Sequence, residues 1–228
     1  YAPEAYPEFV IADYAPPPPL WEQLEVLDVP PESDEHLVLP HSHYDHINGL
    51  SRKVNGRLQL TFPNATVYLN RLDWQRLTVQ LALRKPESRE SQTLGMVEQA
   101  GKLVLVDGEV VIVAGVQVVP TPGETAGHQM VVVASAGNTL FGIGDMIQHP
   151  AELHEVGWHG WWVDTKSAPQ SIGLLKEKAL AADGLLVGAH IAGVGRVVLA
   201  GDGDGGETAV WEPVGELGED GILGYGLT

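Results

Sequence analysis

Cysteine is absent from this chain of 228 residues. Without thiols the protein can form neither a disulfide framework nor a thiolate metal site. No stretch approaches the 18 or so consecutive apolar residues of a membrane span, and the N-terminus lacks the basic and apolar segments of a signal peptide. We therefore expect a soluble protein and favour the cytoplasm. Secretion stays open, because a mature chain would already have lost its signal.

Basic residues are also scarce, with 13 Lys and Arg against 30 Asp and Glu, which gives a net charge of −17. A surface of this sign repels phosphate backbones, so we expect no nucleic-acid partner. Because no apolar stretch is long enough to span a bilayer, we also expect no membrane partner. We expect a small-molecule substrate and leave a homodimer open. The length suits one domain or two tightly fused halves. We assign residues 1–213 to this domain and residues 214–228 to a Gly-rich acidic tail.

The most informative segment reads His41-Ser42-His43-Tyr44-Asp45-His46. Imidazole and carboxylate groups are the ligands that zinc and similar metals take from proteins. On an extended loop, residues 41, 43 and 45 point to one side and residue 46 to the other. The first two imidazoles can then hold one metal while Asp45 and His46 turn toward a second. This pattern predicts a loop with a helix beginning near His46.

Three further candidate ligands follow in order. His128 comes after a Thr-Pro-Gly turn, Asp145 ends the segment LFGIGD, and His190 ends the segment LLVGAH. Each lies beyond an apolar, strand-like run or on a Gly-rich turn, where α/β sheets place their sites.

This order of residues, HxHxDH followed by His, Asp and His, resembles the metallo-β-lactamase superfamily over residues 9–213. The chain looks most like the branch of methyl parathion hydrolase and the quorum-quenching lactonases. The matching segments are FPNATVY at residues 62–68, the Thr-Pro-Gly-Glu turn, and Gly144-Asp145 followed by His149-Pro150. The resemblance implies an αββα sandwich. Family members usually have two or three strands ahead of the strand expected at residues 9–12. A truncated chain, unseen preceding residues and a smaller first sheet all stay open.

The resemblance also implies a ligand set for two divalent metals, with zinc favoured and manganese, iron or cobalt as alternatives. His41, His43 and His128 would bind the first metal, Asp45, His46 and His190 the second, and Asp145 both. A metal-bridging hydroxide would attack small ester-type substrates, namely lactones, aryl or alkyl esters, or phosphotriesters. Asp45 would orient this hydroxide and handle its proton.

Two alternatives remain beside this dinuclear hydrolase. One is a thioesterase of the glyoxalase II type, which the lack of a basic cluster for an anionic thiol carrier disfavours. The other is a non-catalytic metal-binding module, which the presence of all seven ligands disfavours.

Several residues near these ligands have two interpretations each. Five residues are predicted to wall the substrate pocket: Tyr44, His149, Trp158, Trp161 and Trp162. In the alternative interpretation the aromatic rings pack against the sandwich and His149 is solvated. Glu124 either accepts a hydrogen bond from a ligand imidazole or belongs to a surface turn. We assign Asp164 and Asp183 to a helix entry and a helix-to-strand turn, without a role in the chemistry.

Periodicity and turn residues also predict secondary structure along the chain. Helices are expected at residues 20–27, 47–54, 72–83, 87–100 and 169–182. Strands are expected at residues 9–12, 36–39, 66–69, 103–106, 109–113, 116–119, 130–134, 139–143 and 185–187, with a hairpin over 194–199 and 208–211.

Overall fold

The computed structural model describes residues 18–154, 163–217 and 223–224. The strand expected at residues 9–12 and the three tryptophans expected in the pocket wall lie outside these ranges. The chain forms two compact units. The first contains Tyr1–Tyr68 and Arg76–Val104, and the second contains Leu69–Gln75 and Leu105–Thr228.

The elements up to residue 106 are short helices and strands. In chain order they are α1 (Leu20–Val26), β1 (His36–Val38), α2 (Tyr44–Ile47), β2 (Ser51–Val54), β3 (Arg57–Leu60), β4 (Thr66–Asn70), α3 (Arg71–Trp74), α4 (Leu77–Ala82), α5 (Arg89–Gln92), α6 (Leu94–Gln99) and β5 (Leu103–Val106). Single 3₁₀ turns cover Pro31–Ser33 and Asn48–Leu50.

The later elements are mostly strands. They are β6 (Val110–Val113), β7 (Val116–Pro120), β8 (Gln129–Ser135), β9 (Asn138–Gly142), α7 (Ser167–Ala182), β10 (Leu185–Val187), β11 (Gly195–Gly201), β12 (Glu207–Pro213), β13 (Glu216–Leu217) and β14 (Leu223–Gly224). A 3₁₀ turn covers Pro150–Leu153, and β13 pairs with β14.

Strand β4 is the centre of a three-stranded sheet with the order β1-β4-β5. It runs parallel to β1, with Leu37 opposite Val67. Apolar side chains buried in the first unit include Ile47, Val67 and Leu94. Strand β1 leads directly into the His-rich segment, as the sequence predicted.

The prediction of a helix at residues 47–54 is wrong. Beyond residue 50 the chain forms a hairpin of β2 and β3, with Val54 opposite Arg57. Its turn is Asn55-Gly56, and both residues have positive φ, 51° and 77°. Asn-Gly is the preferred pair for a two-residue hairpin turn because both positions need left-handed backbone.

The helices predicted at residues 72–83 and 87–100 are each divided in two. The first break comes at Arg76, whose backbone is extended, with φ −52° and ψ 132°. The second comes at Thr93, whose hydroxyl donates to the carbonyl of Arg89 at 2.6 Å. Thr93 has φ −124° and ψ −87°, so neither residue has helical backbone.

A seven-stranded sheet with the order β12-β11-β10-β9-β8-β7-β6 forms most of the second unit. All neighbours are antiparallel except β9 and β10, which are parallel. A parallel pair needs a crossover, and α7 lies in that connection. Its apolar stripe of Ala168, Ile172, Leu175 and Ala179 is buried in the core of this unit. Five strands predicted between residues 103 and 143, the α7 helix and the C-terminal hairpin are confirmed to within a few residues.

Within the described ranges, no helix combines the length and the apolar character required to cross a bilayer.

The two glycines at the ends of β11 differ in their surroundings and allow a matched test of packing. A Cβ atom on Gly195 would overlap the indole ring of Trp211, which packs against the core, whereas a Cβ on Gly201 would meet nothing within 4 Å. Gly195→Ala should therefore lower the free energy of unfolding by about 1–3 kcal/mol through overpacking. Gly201→Ala should change it by less than about 0.5 kcal/mol. Urea unfolding of both variants measures this, and equal effects would contradict the packing described.

Candidate metal centre

The His-rich segment of the first unit is extended only as far as His43. Its backbone there has φ −70° and ψ 155°, and α2 begins at the next residue. The amides of His46 and Ile47 both donate to the His43 carbonyl, at 3.1 and 3.3 Å. The helix thus begins two residues earlier than predicted. Asp45 lies in its first turn and not on the same extended face as His41 and His43.

The four predicted ligands of this segment nevertheless cluster. The Nε2 atom of His41 lies 2.9 Å from Nδ1 of His43, and the rings of His41 and His46 have centroids 4.1 Å apart. Asp45 Oδ2 lies 3.4 Å from His46 Nε2. Two ligand atoms of one tetrahedral zinc ion are about 3.4 Å apart, given bonds of about 2.1 Å. The spacing within this unit therefore suits metal binding.

Arg76 contacts the same segment and was not predicted. Its guanidinium donates to Ser42 Oγ and to His43 Nε2, both at 3.1 Å. Because a guanidinium only donates, Nε2 of His43 is the acceptor in this contact. Arg76 lies 33 residues from His43 in an ordinary polar position, so no sequence pattern could have identified it.

In the second unit, the parallel pair β9 and β10 places two predicted ligands together. Val187 lies opposite Gly142, so both strands end at the same edge of the sheet. Two backbone hydrogen bonds extend the pairing beyond the strands, from Ile143 N to the Val187 carbonyl and from Ala189 N to the Gly144 carbonyl. As a result, His190 Nε2 lies 3.1 Å from Asp145 Oδ2.

His128 reaches the same place from the start of β8. Its ring is fully buried, and Nδ1 lies 3.0 Å from the carbonyl oxygen of Thr121 and 2.9 Å from Thr121 Oγ1. Its Nε2 accepts from the backbone amide of Asp145 at 3.1 Å. Burial lowers the pKa of His128 and outweighs the raising effect of the Asp145 carboxylate. The imidazole is thus neutral. Its Nδ1 carries the proton and donates it in a hydrogen bond to Thr121, while the lone pair of Nε2 points toward the backbone amide of Asp145. Metal-binding histidines use this form.

Thr121 could have been found from the sequence. Pro120 pairs with Gln129 in the β7-β8 ladder, and the next hydrogen bond joins Thr121 N to the His128 carbonyl at 2.9 Å. Extending the predicted strands, residues 116–119 and 130–134, by two residues each places Thr121 opposite His128. A carbonyl that accepts the second ring proton of a ligand histidine is a recurring feature of metal sites.

The remaining predictions have mixed outcomes. Tyr44 is half exposed at the start of α2, and His149 accepts from the amide of Ala151 at the start of a 3₁₀ turn. Glu124 is buried, so its interpretation as a surface turn is wrong.

The two aspartates assigned to backbone turns are placed as expected. Asp164 accepts from the Ser167 hydroxyl and the Lys166 amide just before α7, and these hydrogen bonds lower the pKa of its carboxyl. Asp183 ends α7 with φ 44° and pairs with Arg196.

A small pocket within the second unit adjoins Asp145. Its polar lining includes three buried carboxylates, from Glu124, Asp145 and Glu152, together with Thr121 and Ser171. The enclosed space holds about one water molecule. The pocket lies beside Thr121 and Asp145, the two residues that contact the His128 ring, so the immediate surroundings of these residues are acidic.

No protein-family model and no curated protein matches the chain. Solved structures do. Hydrolase AbOPH of the β-lactamase superfamily is 19% identical, with a TM-score of 0.68 over 86% of this chain and 70% of that one. AidC, a dizinc quorum-quenching lactonase in complex with a product, is 19% identical, with a TM-score of 0.66 over 87% and 70%. An N-acyl homoserine lactone hydrolase, with a product at its catalytic metal centre, is 22% identical, with a TM-score of 0.55 over 74% and 60%.

These similarities establish the fold. The chain is a mixed α/β protein with several sheets, and its fold is that of the metallo-β-lactamase superfamily hydrolases, as the sequence resemblance implied.

The buried, neutral His128 predicts a pH dependence of stability. Its pKa in the folded protein lies below the ordinary value of 6.5, so on acidification the unfolded chain takes up a proton before the folded protein does. The free energy of unfolding of metal-free protein should therefore fall as the pH falls below about 6.5. His128→Gln should reduce this slope. His36→Gln, which alters an exposed ring, should leave it unchanged. Urea titrations between about pH 5 and 8 measure it, and equal slopes in all three proteins would refute the assignment.

Proposed function

We propose that this protein is a metal-dependent hydrolase that binds two divalent ions and cleaves small ester-type substrates. The proposed ligands are His41, His43, Asp45, His46, His128, Asp145 and His190. The observation that carries the proposal is the arrangement in the second unit. There three candidate ligands from separate parts of the sequence meet. His190 Nε2 lies 3.1 Å from Asp145 Oδ2, and His128 Nε2 lies 3.1 Å from the backbone amide nitrogen of Asp145.

The donor set fits borderline divalent metals, since it consists of imidazoles and carboxylates without thiolates. When bound, such ions supply Lewis acidity and make hydroxide available near neutral pH. The Thr121 carbonyl and the Asp145 amide hold the His128 ring in its binding form. Asp45 is exposed in the first turn of α2, where its carboxylate can accept and release a proton in contact with solvent.

Small esters, and lactones first among them, are the substrates that we propose. Support comes from the fold shared with two lactone-cleaving enzymes and from the charge of this chain. A net charge of −17 disfavours polyanionic substrates but is indifferent to neutral ones. The buried carboxylates beside Asp145 add to this preference for substrates without a negative charge.

A panel of lactones, aryl esters, phosphotriesters and thioesters, tested on metal-reconstituted protein, checks this function. We expect turnover of at least one oxygen ester, its loss on chelation and its return on adding zinc or manganese. A clear preference for thioesters would instead support the thioesterase. Full metal loading without turnover on any member of the panel would support a non-catalytic module.

Metal stoichiometry tests the ligand set directly. Seven ligands exceed what one tetrahedral ion can use, so protein purified without chelator should contain close to two metal equivalents per chain. His190→Ala should lower this number, while His36→Gln should leave it unchanged. Elemental analysis measures it. Saturation at one equivalent, with full activity in His190→Ala, would contradict a dinuclear centre.

Asp145 and Glu124 are both buried carboxylates, and the proposal assigns them different roles. Asp145→Ala should abolish most activity because a ligand of both ions is lost. Glu124→Ala should cost about 10–100-fold, as is typical of residues that support ligands. Measurements of kcat/KM and of bound metal separate the two. Equally small effects from both substitutions would show that Asp145 does not serve both ions.

A further inference from the structure

Residues Leu69–Gln75 form a seven-residue segment of the second unit, although the chain on both sides belongs to the first. The segment contains the end of β4 and the short helix α3. Asn70 begins α3, and its Oδ1 accepts from the amide of Leu72 at 2.9 Å. Leu72 is half exposed, whereas Asp73 in the middle of the helix has no exposed surface at all. A fully buried carboxylate is costly unless it is hydrogen-bonded, so its contacts are of interest.

The carboxylate of Asp73 binds the loop that carries His128. Its Oδ1 accepts from the backbone amide of Gly127 at 3.2 Å, inside the protein. The two backbones approach so closely that a Cβ atom on Gly127 would lie 2.6 Å from Asp73 N and 2.8 Å from Asp73 Oδ1. The glycine is therefore required at this position for steric reasons, and the next residue in the chain is His128.

The contact completes a set of restraints around one imidazole. Thr121 and the Asp145 amide hold the two ring nitrogens of His128, and Asp73 holds the backbone immediately before it. Asp73 does not touch the ring in any of these contacts. Its negative charge also raises the pKa of His128, against the effect of burial. Removing the carboxylate would release the Gly127 amide and let the His128 backbone rotate.

We propose that Asp73 is a positioning residue that fixes the orientation of His128 through the Gly127 amide. The part of this inference that concerns metal binding rests on the proposed function. The part that concerns the orientation of His128 does not need a metal. Two kinds of measurement therefore distinguish a failure of this inference from a failure of the proposed function.

The decisive variants differ in what they leave at position 73. Asp73→Asn keeps an oxygen that can accept from Gly127, and Asp73→Ala removes it. Asp107→Ala is the control, because Asp107 belongs to the same unit and accepts from Arg71 at 2.9 Å, but on the surface. Gly127→Ala disturbs the same contact from the opposite side.

Metal affinity is measured by competition with a chromogenic chelator, using zinc alone. Asp73→Ala and Gly127→Ala should each weaken zinc binding by about 10–100-fold, the range seen when a residue that supports a ligand is removed. Asp73→Asn should recover most of this loss, and Asp107→Ala should match the wild type. Wild-type zinc affinity in both Asp73→Ala and Gly127→Ala would overturn the inference. If Asp73→Ala does not fold, Gly127→Ala and Asp73→Asn decide it.

The metal-free measurement uses protein labelled with ¹⁵N in histidine. The Nδ1 proton of His128, bonded to Thr121, should give a protected signal in the wild type, in Asp73→Asn and in Asp107→Ala. It should be broadened or exchange rapidly in Asp73→Ala. An unchanged signal in a folded Asp73→Ala protein would refute the positioning role. A wild type that binds no zinc would refute the proposed function, and the His128 signal would still decide this inference.

Discussion

The candidate site of the second unit depends on the parallel pairing of β9 with β10. Parallel neighbours end at the same edge of a sheet, and here the pairing continues for two further backbone hydrogen bonds, to Ile143 and Ala189. These bonds set the distance between the two loops that follow. Asp145 and His190 lie on those loops, so the backbone ladder brings the two residues within reach of their 3.1 Å side-chain contact. The long α7 crossover is what makes the parallel arrangement possible.

His128 shows how a buried polar group can be held in one chemical form. Desolvation favours the neutral imidazole, and the Thr121 carbonyl determines which nitrogen carries the proton. The remaining nitrogen faces Asp145. A histidine on an exposed loop would change protonation state and rotamer freely. His128 is buried at the start of a paired strand, so both its protonation state and its rotamer are restricted, which makes it suitable as a ligand.

The two units present their histidines in different ways. The first unit uses a single continuous segment, in which the chain changes from extended to helical after His43, so that Asp45 lies beside His46 in the first turn of α2. The second unit collects its side chains from three loops of one sheet. A ligand motif of neighbouring residues can be recognised directly in a sequence. Ligands that come from separate strands can be grouped only when the order of those strands in the sheet is known. The resemblance to a known superfamily supplied that order for His128, Asp145 and His190.

Local sequence determined much of the secondary structure. The apolar runs of β5 to β10 and the stripe of α7 have the periodicity of strands and of an amphipathic helix, because burial on one face imposes that spacing. Asn55-Gly56 also encodes its hairpin, because both positions of such a turn need left-handed backbone. The breaks at Arg76 and Thr93 were not readable, because neither position carries a proline, the residue that reliably ends a helix.

The ligand candidates could be named from the sequence because metal chemistry restricts residue types and the HxHxDH spacing is compact. The residues that orient them could not. Arg76, Asp73 and Gly127 have types common in any soluble protein, and their partners lie 33 to 54 residues away in the chain. Only the tertiary structure brings a buried carboxylate from α3 against the loop before His128. The physical reason is that a hydrogen bond across such a separation depends on how elements pack, and no local pattern records that packing.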